Sequence, residues 1–263
     1  MVLAKVKLPG SPVHKEITAD LQNNKAELNG QLISPDSVPF DTPVTGTVYG
    51  TLLNFQGALE KMKDQLNDPP YKGEPKAPIL YIKPANTLAA YGSPVPLPEN
   101  TEYLQAGACL GIVIGKNATR VSETEALEYV SGYTVVNDIS IPHDSFFRPA
   151  IKEKCRDGFC PAGPWIVNAA DAGDPGKLGI QVYVNGELRQ ENNTENLVRS
   201  VPRLIAEVTG FMTLRKGDVL LAGVPEDPPL VKAGDEVKIV IEKIGQLKNE
   251  IVLEKQYLEE VAK

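Results

Sequence analysis

The chain has 263 residues, enough to bury a full hydrophobic core as one large domain or as a main domain with a small satellite. A net charge of −7 with 42% apolar and 23% charged residues argues against nucleic-acid binding and against adhesion to anionic membranes, yet it leaves room for a local cationic pocket. No apolar run approaches the roughly 20 residues of a membrane span, the opening MVLAKVKLPG lacks the apolar core of a signal peptide, and Cys109, Cys155 and Cys160 fit reduced thiols, so a cytoplasmic chain is expected.

Residues 1–46 predict a small N-terminal β unit, with strand candidates at 3–8, 12–19 and 26–33. Asn29-Gly30 marks a hairpin, because a type I′ turn needs positive φ at both central residues. Pro35, Pro39 and Pro43 then read as a linker into a main unit of residues 47–263. Residues 47–54 predict a buried strand. A helix should follow, on which Phe55, Leu59, Met62 and Leu66 share a face. Residues 67–77 are loop-like, 79–83 a strand, and the proline-rich 91–100 irregular.

Residues 108–115 predict a third buried strand. Ser122-x-x-Glu125 reads as a capping box opening a short helix. Residues 133–139 form the next strand, and Asn185-Gly186 turns a second hairpin within 179–190. Leu197, Val201, Leu204, Ile205 and Val208 recur at helical spacing, with Pro202 as a kink or a helix start. Three strands close the chain, at 218–223, 235–242 and 248–254. Many strands and few, irregularly spaced helices predict an α+β, mostly β architecture of the sandwich or roll kind.

The densest chemistry lies in residues 132–160. An apolar run ends in Asn137-Asp138 and is followed by Arg148, Lys152, Lys154 and Arg156. Polar groups at a strand end beside a cationic loop suit an anionic ligand. Asp138 reads either as an oxygen ligand for a divalent cation or as a partner of nearby loop backbone. Lys154 and Arg156 either grip carboxylates or cover a solvated turn. The three cysteines with His14 and His143 do not make a zinc pattern. His143-Asp144 could do acid–base work, but no G-x-S-x-G accompanies it. There is no Walker A or G-x-G-x-x-G, so nucleotide binding has no support.

Taken together, the blocks YGTLLN, ILYIKPANTL, GIVIGKNATRVSETEALEYVSGYTVVNDIS and FFRPAIKEKCRDGFCPAGPWIV resemble the fumarylacetoacetate hydrolase family. They fall in order between residues 47 and 253, and a tail block, VNGELRQ with FMTLRKGDVLLAGVP, also fits. The resemblance implies a mixed β-sandwich roll, to which the small N-terminal β unit is added. Within the family the RPAIKEKCRDGFCP block is most similar to isomerase/decarboxylases of 4-hydroxyphenylacetate breakdown, in their amino-terminal half or corresponding subunit. A small dicarboxylate or 2-oxo acid is the implied substrate. Lys154 and Asp138 are the implied catalytic residues, and Lys83, Arg148 and Arg156 the implied substrate binders.

The family holds Mg²⁺ or another divalent metal with an E-x-E strand motif and an Asp, since alternate strand residues share a face. Here Gly107 and Cys109 stand at the two glutamate positions, and Asp138 alone is retained. The family's lid His and Glu fall at Ala58 and Lys61. The resemblance therefore leaves alternatives open. The chain is a subunit of the isomerase/decarboxylase, or a catalytically silent partner of a metal-bearing paralogue. A third reading is a decarboxylase or hydrolase of another 2-oxo acid, for which Lys154 is the candidate Schiff-base lysine. The metal is expected to be lost or carried by the partner. A homo- or hetero-oligomer is expected, with no nucleic acid and no membrane among its partners.

Overall fold

Period-two patterning and continuous apolar runs sort the strands of the chain into exposed and buried layers. A computed structural model describes residues 1–143 and 147–261. The first strands are β1 (Val2–Lys7), β2 (His14–Asp20), β3 (Lys25–Leu28), β4 (Gln31–Ile33), β5 (Val48–Leu52), β6 (Ile79–Lys83), β7 (Leu88–Ala89), β8 (Val95–Leu97) and β9 (Leu104–Gln105). Then follow β10 (Ala108–Ile114), β11 (Val130–Asn137), β12 (Cys160–Pro161), β13 (Ile166–Asn168), β14 (Gly179–Val184) and β15 (Glu187–Asn193). The last are β16 (Val219–Leu221), β17 (Leu230–Val231), β18 (Glu236–Ile241) and β19 (Gly245–Leu253). The helices are α1 (Gln56–Asn67), α2 (Ile151–Lys154), α3 (Ala169–Ala172), α4 (Val201–Thr209) and α5 (Glu254–Val261).

A ten-stranded sheet runs β4-β3-β2-β1-β13-β11-β10-β16-β5-β6, and a five-stranded sheet runs β15-β14-β18-β19-β8. Every residue of β10 is buried, as expected for a strand covered on both faces. β18 instead alternates buried residues with exposed or half-buried ones. The centre of the large sheet, β10 and β11, faces β14, β18 and β19. Trp165 joins the layers, its indole Nε1 donating to Ile244 O at 3.0 Å. The result is the α+β, mostly β roll that the patterning and the resemblance implied.

β1 continues the large sheet by pairing with β13, Ala4 opposite Val167 and Lys5 opposite Ile166. Both Asn-Gly hairpins form, with positive φ at Asn29 and Gly30 and at Asn185 and Gly186. Pro202 stands in the first turn of α4 and does not kink it, since Ser200 caps the helix by accepting from Arg203 N.

Three local expectations need correction. The proline-rich segment expected to be irregular contains β8, which pairs in parallel with β19. Pro96 is tolerated there because β8 is a sheet edge. Ser122 Oγ does bond Glu125 Oε2, at 2.5 Å, but the helix after it is a single 3₁₀ turn, Ala126–Tyr129, that runs straight into β11. Leu197 lies outside α4, behind a 3₁₀ turn at Thr194–Asn196.

Candidate active site

The site is assembled at the end of β11. Asp138 follows the buried run Tyr133–Asn137, and its backbone N–H donates to Gly107 O at 2.8 Å, so strand pairing continues one residue beyond β10. β6 brings Tyr81 and Lys83 to the same carboxylate, because residues two apart on a strand share a face. α2 supplies Lys154 as its last residue.

Lys154 Nζ lies 3.0 Å from Asp138 Oδ2, and Lys83 Nζ lies 2.9 Å from Oδ1. The Tyr81 hydroxyl also donates to Oδ2. Lys83 also donates to Ile139 O (3.0 Å) and Lys154 O (2.8 Å), so three oxygens surround its buried ammonium. The side chains of Lys83 and Asp138 are fully buried, and that of Lys154 is 9% exposed. Lys154 Nζ stands 4.7 Å from the Tyr81 ring centroid, at cation–π distance. Gly50, opposite Tyr81 on β5, leaves room for the ring, since a Cβ there would lie 2.0 Å from it.

Charge partners set the protonation of this cluster. Burial pushes the Asp138 carboxyl up, but the ammonium groups of Lys154 and Lys83 and the Tyr81 hydrogen bond outweigh it and hold it well below the usual carboxylate range. Burial lowers Lys154, Asp138 works against that, and Lys83 adds to the lowering. Burial and then Asp138 raise the Tyr81 phenol far above its ordinary value. Burial likewise pushes the Cys160 thiol up to about 12.

The divalent metal that the resemblance implied does not fit these residues. A Cβ at Gly107 would lie 2.3 Å from Asp138 O, so a glutamate could enter only if the main chain moved. Cys109 is buried among Val48, Val136, Val219 and Leu221, and its Sγ accepts from Gly223 N at 3.3 Å. Both Asp138 oxygens already face ammonium groups. Among the described residues no cluster of three or more His, Cys, Asp or Glu could hold an ion.

A pocket of about 210 Å³ opens onto Asp138, Lys154 and Tyr81, with Gln105 and Ser140 beside them. Its mouth lies between α1, through Ala58, Lys61 and Met62, and the loop 224–228. Lys61 spans the mouth to an ion pair with Asp227. His143 is also on the wall, its Nδ1 2.9 Å from Ile141 O. Its sequence neighbour Asp144 lies outside the described residues.

The expected site residues are thus separated. Asp138, Lys154 and Lys83 come together, but Lys83 sits behind the carboxylate and does not line the pocket. Arg148 is exposed and borders an adjoining groove that also reaches Tyr81 and Lys154. Arg156 is turned away, pairing with Glu254 at 3.2 Å beside a crevice that includes Tyr257. Tyr81 is the residue that sequence reasoning missed. Its signal was the alternation Tyr81, Lys83 on a strand beside Gly50.

Residues 47–252 match the family model described as fumarylacetoacetate (FAA) hydrolase, C-terminal. The chain is 37% identical over 211 residues to the 4-hydroxyphenylacetate degradation bifunctional isomerase/decarboxylase of Escherichia coli, covering 80% of this chain and 48% of that protein. It spans about half the length of the curated relatives of this kind that it matches. Its fold is similar to 5-carboxymethyl-2-hydroxymuconate delta-isomerase from Mycobacterium smegmatis, with a TM-score of 0.78, 28% identity and coverage of 96% of this chain and 99% of that one. It is also similar to 2-hydroxyhepta-2,4-diene-1,7-dioate isomerase from Mycobacterium marinum, with a TM-score of 0.77, 27% identity and coverage of 96% and 98%.

Proposed function

Since the chain belongs to the fumarylacetoacetate hydrolase family, we propose that it is the metal-free member of an isomerase/decarboxylase pair in 4-hydroxyphenylacetate breakdown. It takes a small 2-oxo dicarboxylate into the Asp138–Lys154 pocket and works with a second, metal-bearing copy of the fold. The observation that carries this reading is the replacement of a ligand set by an ion cluster. Two lysines neutralise Asp138, and backbone occupies the space a glutamate at Gly107 would need. The E. coli relative is about twice as long as the matched region, which is room for a second copy.

The residues of this chain suit binding better than proton transfer. Lys154, nearly buried beside Asp138, offers a cation to an incoming carboxylate where a charge pair is stronger than in water. Asp138, held well below the usual carboxylate range, is a weak base. Tyr81, raised far above its ordinary value and already donating to Asp138, is a weak acid.

The test is consumption of 5-carboxymethyl-2-oxo-hex-3-ene-1,7-dioate by the purified chain, alone, with Mg²⁺, and mixed with a metal-bearing paralogue. Turnover is expected only in the mixture, and it should vanish when the paralogue's glutamates are replaced. Mg²⁺-dependent turnover by this chain alone would overturn the proposal.

A further inference from the structure

Lys61 lies outside the buried cluster, and its position is built by the fold. It follows Gly57 by four residues on α1, so the two share a helix face. A Cβ at Gly57 would lie 2.2 Å from the Glu226 carboxyl carbon, so the glycine lets the first turn of α1 sit directly on the 224–228 loop. Glu226 is itself held, with Oε1 accepting from Asn192 Nδ2 at 3.2 Å and its carbonyl accepting from Gln190. Close seating of α1 on this braced loop puts the Lys61 ammonium at the pocket mouth.

Lys154 and Lys61 are the two lysines among the described residues lining this pocket, one at its floor and one at its mouth. Lys61 is 55% exposed and its partner Asp227 is 73% exposed. Such a pair is worth about 0–1 kcal/mol, so another carboxylate can displace it.

We propose that Lys61 is a specificity-determining residue that leaves Asp227 to hold the distal carboxylate of a dicarboxylate ligand whose 2-oxo acid end lies at Lys154. Asp227 is then a built-in competitor that holds the lysine at the mouth when no dicarboxylate is present. This rests on the functional reading above, and extends it from a substrate class to the group that selects within that class.

Calorimetric titration of the full chain with 2-oxoadipate and 2-oxohexanoate tests it. The two ligands share chain length and the 2-oxo acid, and differ in the distal carboxylate. Wild type should bind the dicarboxylate more tightly, by up to about fivefold, the factor that about 1 kcal/mol provides. Lys61→Met should abolish that preference. Asp227→Asn should widen the preference by freeing Lys61, an effect opposite in sign to simple damage at the mouth. A preference that survives Lys61→Met, or one that shrinks in Asp227→Asn, overturns the assignment and leaves the functional reading standing. Absence of binding by both ligands to wild type overturns both.

Discussion

The pocket has a lysine–carboxylate contact at each end, and the two behave differently because one is dry and the other is wet. At the floor, Asp138 and Lys83 have fully buried side chains and Lys154 nearly so. At the mouth, Lys61 and Asp227 are mostly in solvent. Water screens the mouth pair to about 0–1 kcal/mol. Removing one partner from the floor cluster leaves a buried charge uncompensated, which costs about 3–5 kcal/mol. The floor is therefore part of the fold, and the mouth is free to exchange partners with a ligand.

The sharpest way to break this contrast is Asp138→Asn. It leaves two ammonium groups facing each other without their counter-charge, and should lower unfolding free energy by about 3–5 kcal/mol in denaturant titration. Replacing all three charges together, with Asp138→Leu, Lys83→Met and Lys154→Met, should recover most of that loss. A single-variant loss under about 1 kcal/mol would mean that the floor is as wet as the mouth.

Gly107→Ala probes the other feature that excludes a metal. Its Cβ would come 2.3 Å from Asp138 O and 3.1 Å from Val224 Cγ2, so the strand end must shift. Overpacking of this kind costs about 1–3 kcal/mol. Gly179→Ala is the control, because its nearest neighbour would be Glu242 Oε2 at an ordinary 3.6 Å. A thermal midpoint for Gly107→Ala equal to that of the control would show that the space at Gly107 is not closed.

Acid separates the ends further. The Asp138 carboxyl is held below its unfolded value of 3.8, so the unfolded chain takes up the proton first as pH falls. Its stabilisation is fully present above that value and is lost as pH falls from there through the folded value. The stability gap between wild type and the triple apolar variant should shift against wild type by about 1.4 kcal/mol per pH unit across that window. Denaturation curves at successive pH values check this. A gap that changes chiefly above pH 5 would contradict the cluster.

Most of the frame was legible because burial wrote it locally. The run ACLGIVI reads as a doubly covered strand, and the Asn-Gly pairs read as hairpins. Pro96 in β8, with Pro94 and Pro98 on either side, hid a strand, since an edge position that tolerates proline is a property of the sheet and not of the segment. α5 went unread because it starts at Glu254, directly after β19, where the sequence reads as the end of a closing strand. In the site, Asp138 and Lys154 were legible as a strand-end acid and a nearby base. The depth of Lys83 was not, because a lysine ending ILYIK looks solvated until Ile139 O and Lys154 O are brought to it. Arg156 looked like a second carboxylate binder for the converse reason. Its partner Glu254 is 98 residues away, and nothing local announces it.

The smallest expected effect is on stability at the mouth. Lys61→Met should shift unfolding free energy by less than about 1 kcal/mol, because an exposed pair contributes little and Gly57 still seats α1 on Glu226. Salt gives a second reading of the same residue. Raising ionic strength from 0.1 to 1 M shortens the screening length from about 10 Å to about 3 Å. The dicarboxylate preference should therefore fade in wild type, and the destabilisation by Asp138→Asn should persist, because buried charges are screened much less. A stability loss in Lys61→Met comparable to that in Asp138→Asn would place both ends of the pocket in the same environment. The lysine at the mouth would then be a fixture of the fold, unavailable to a ligand.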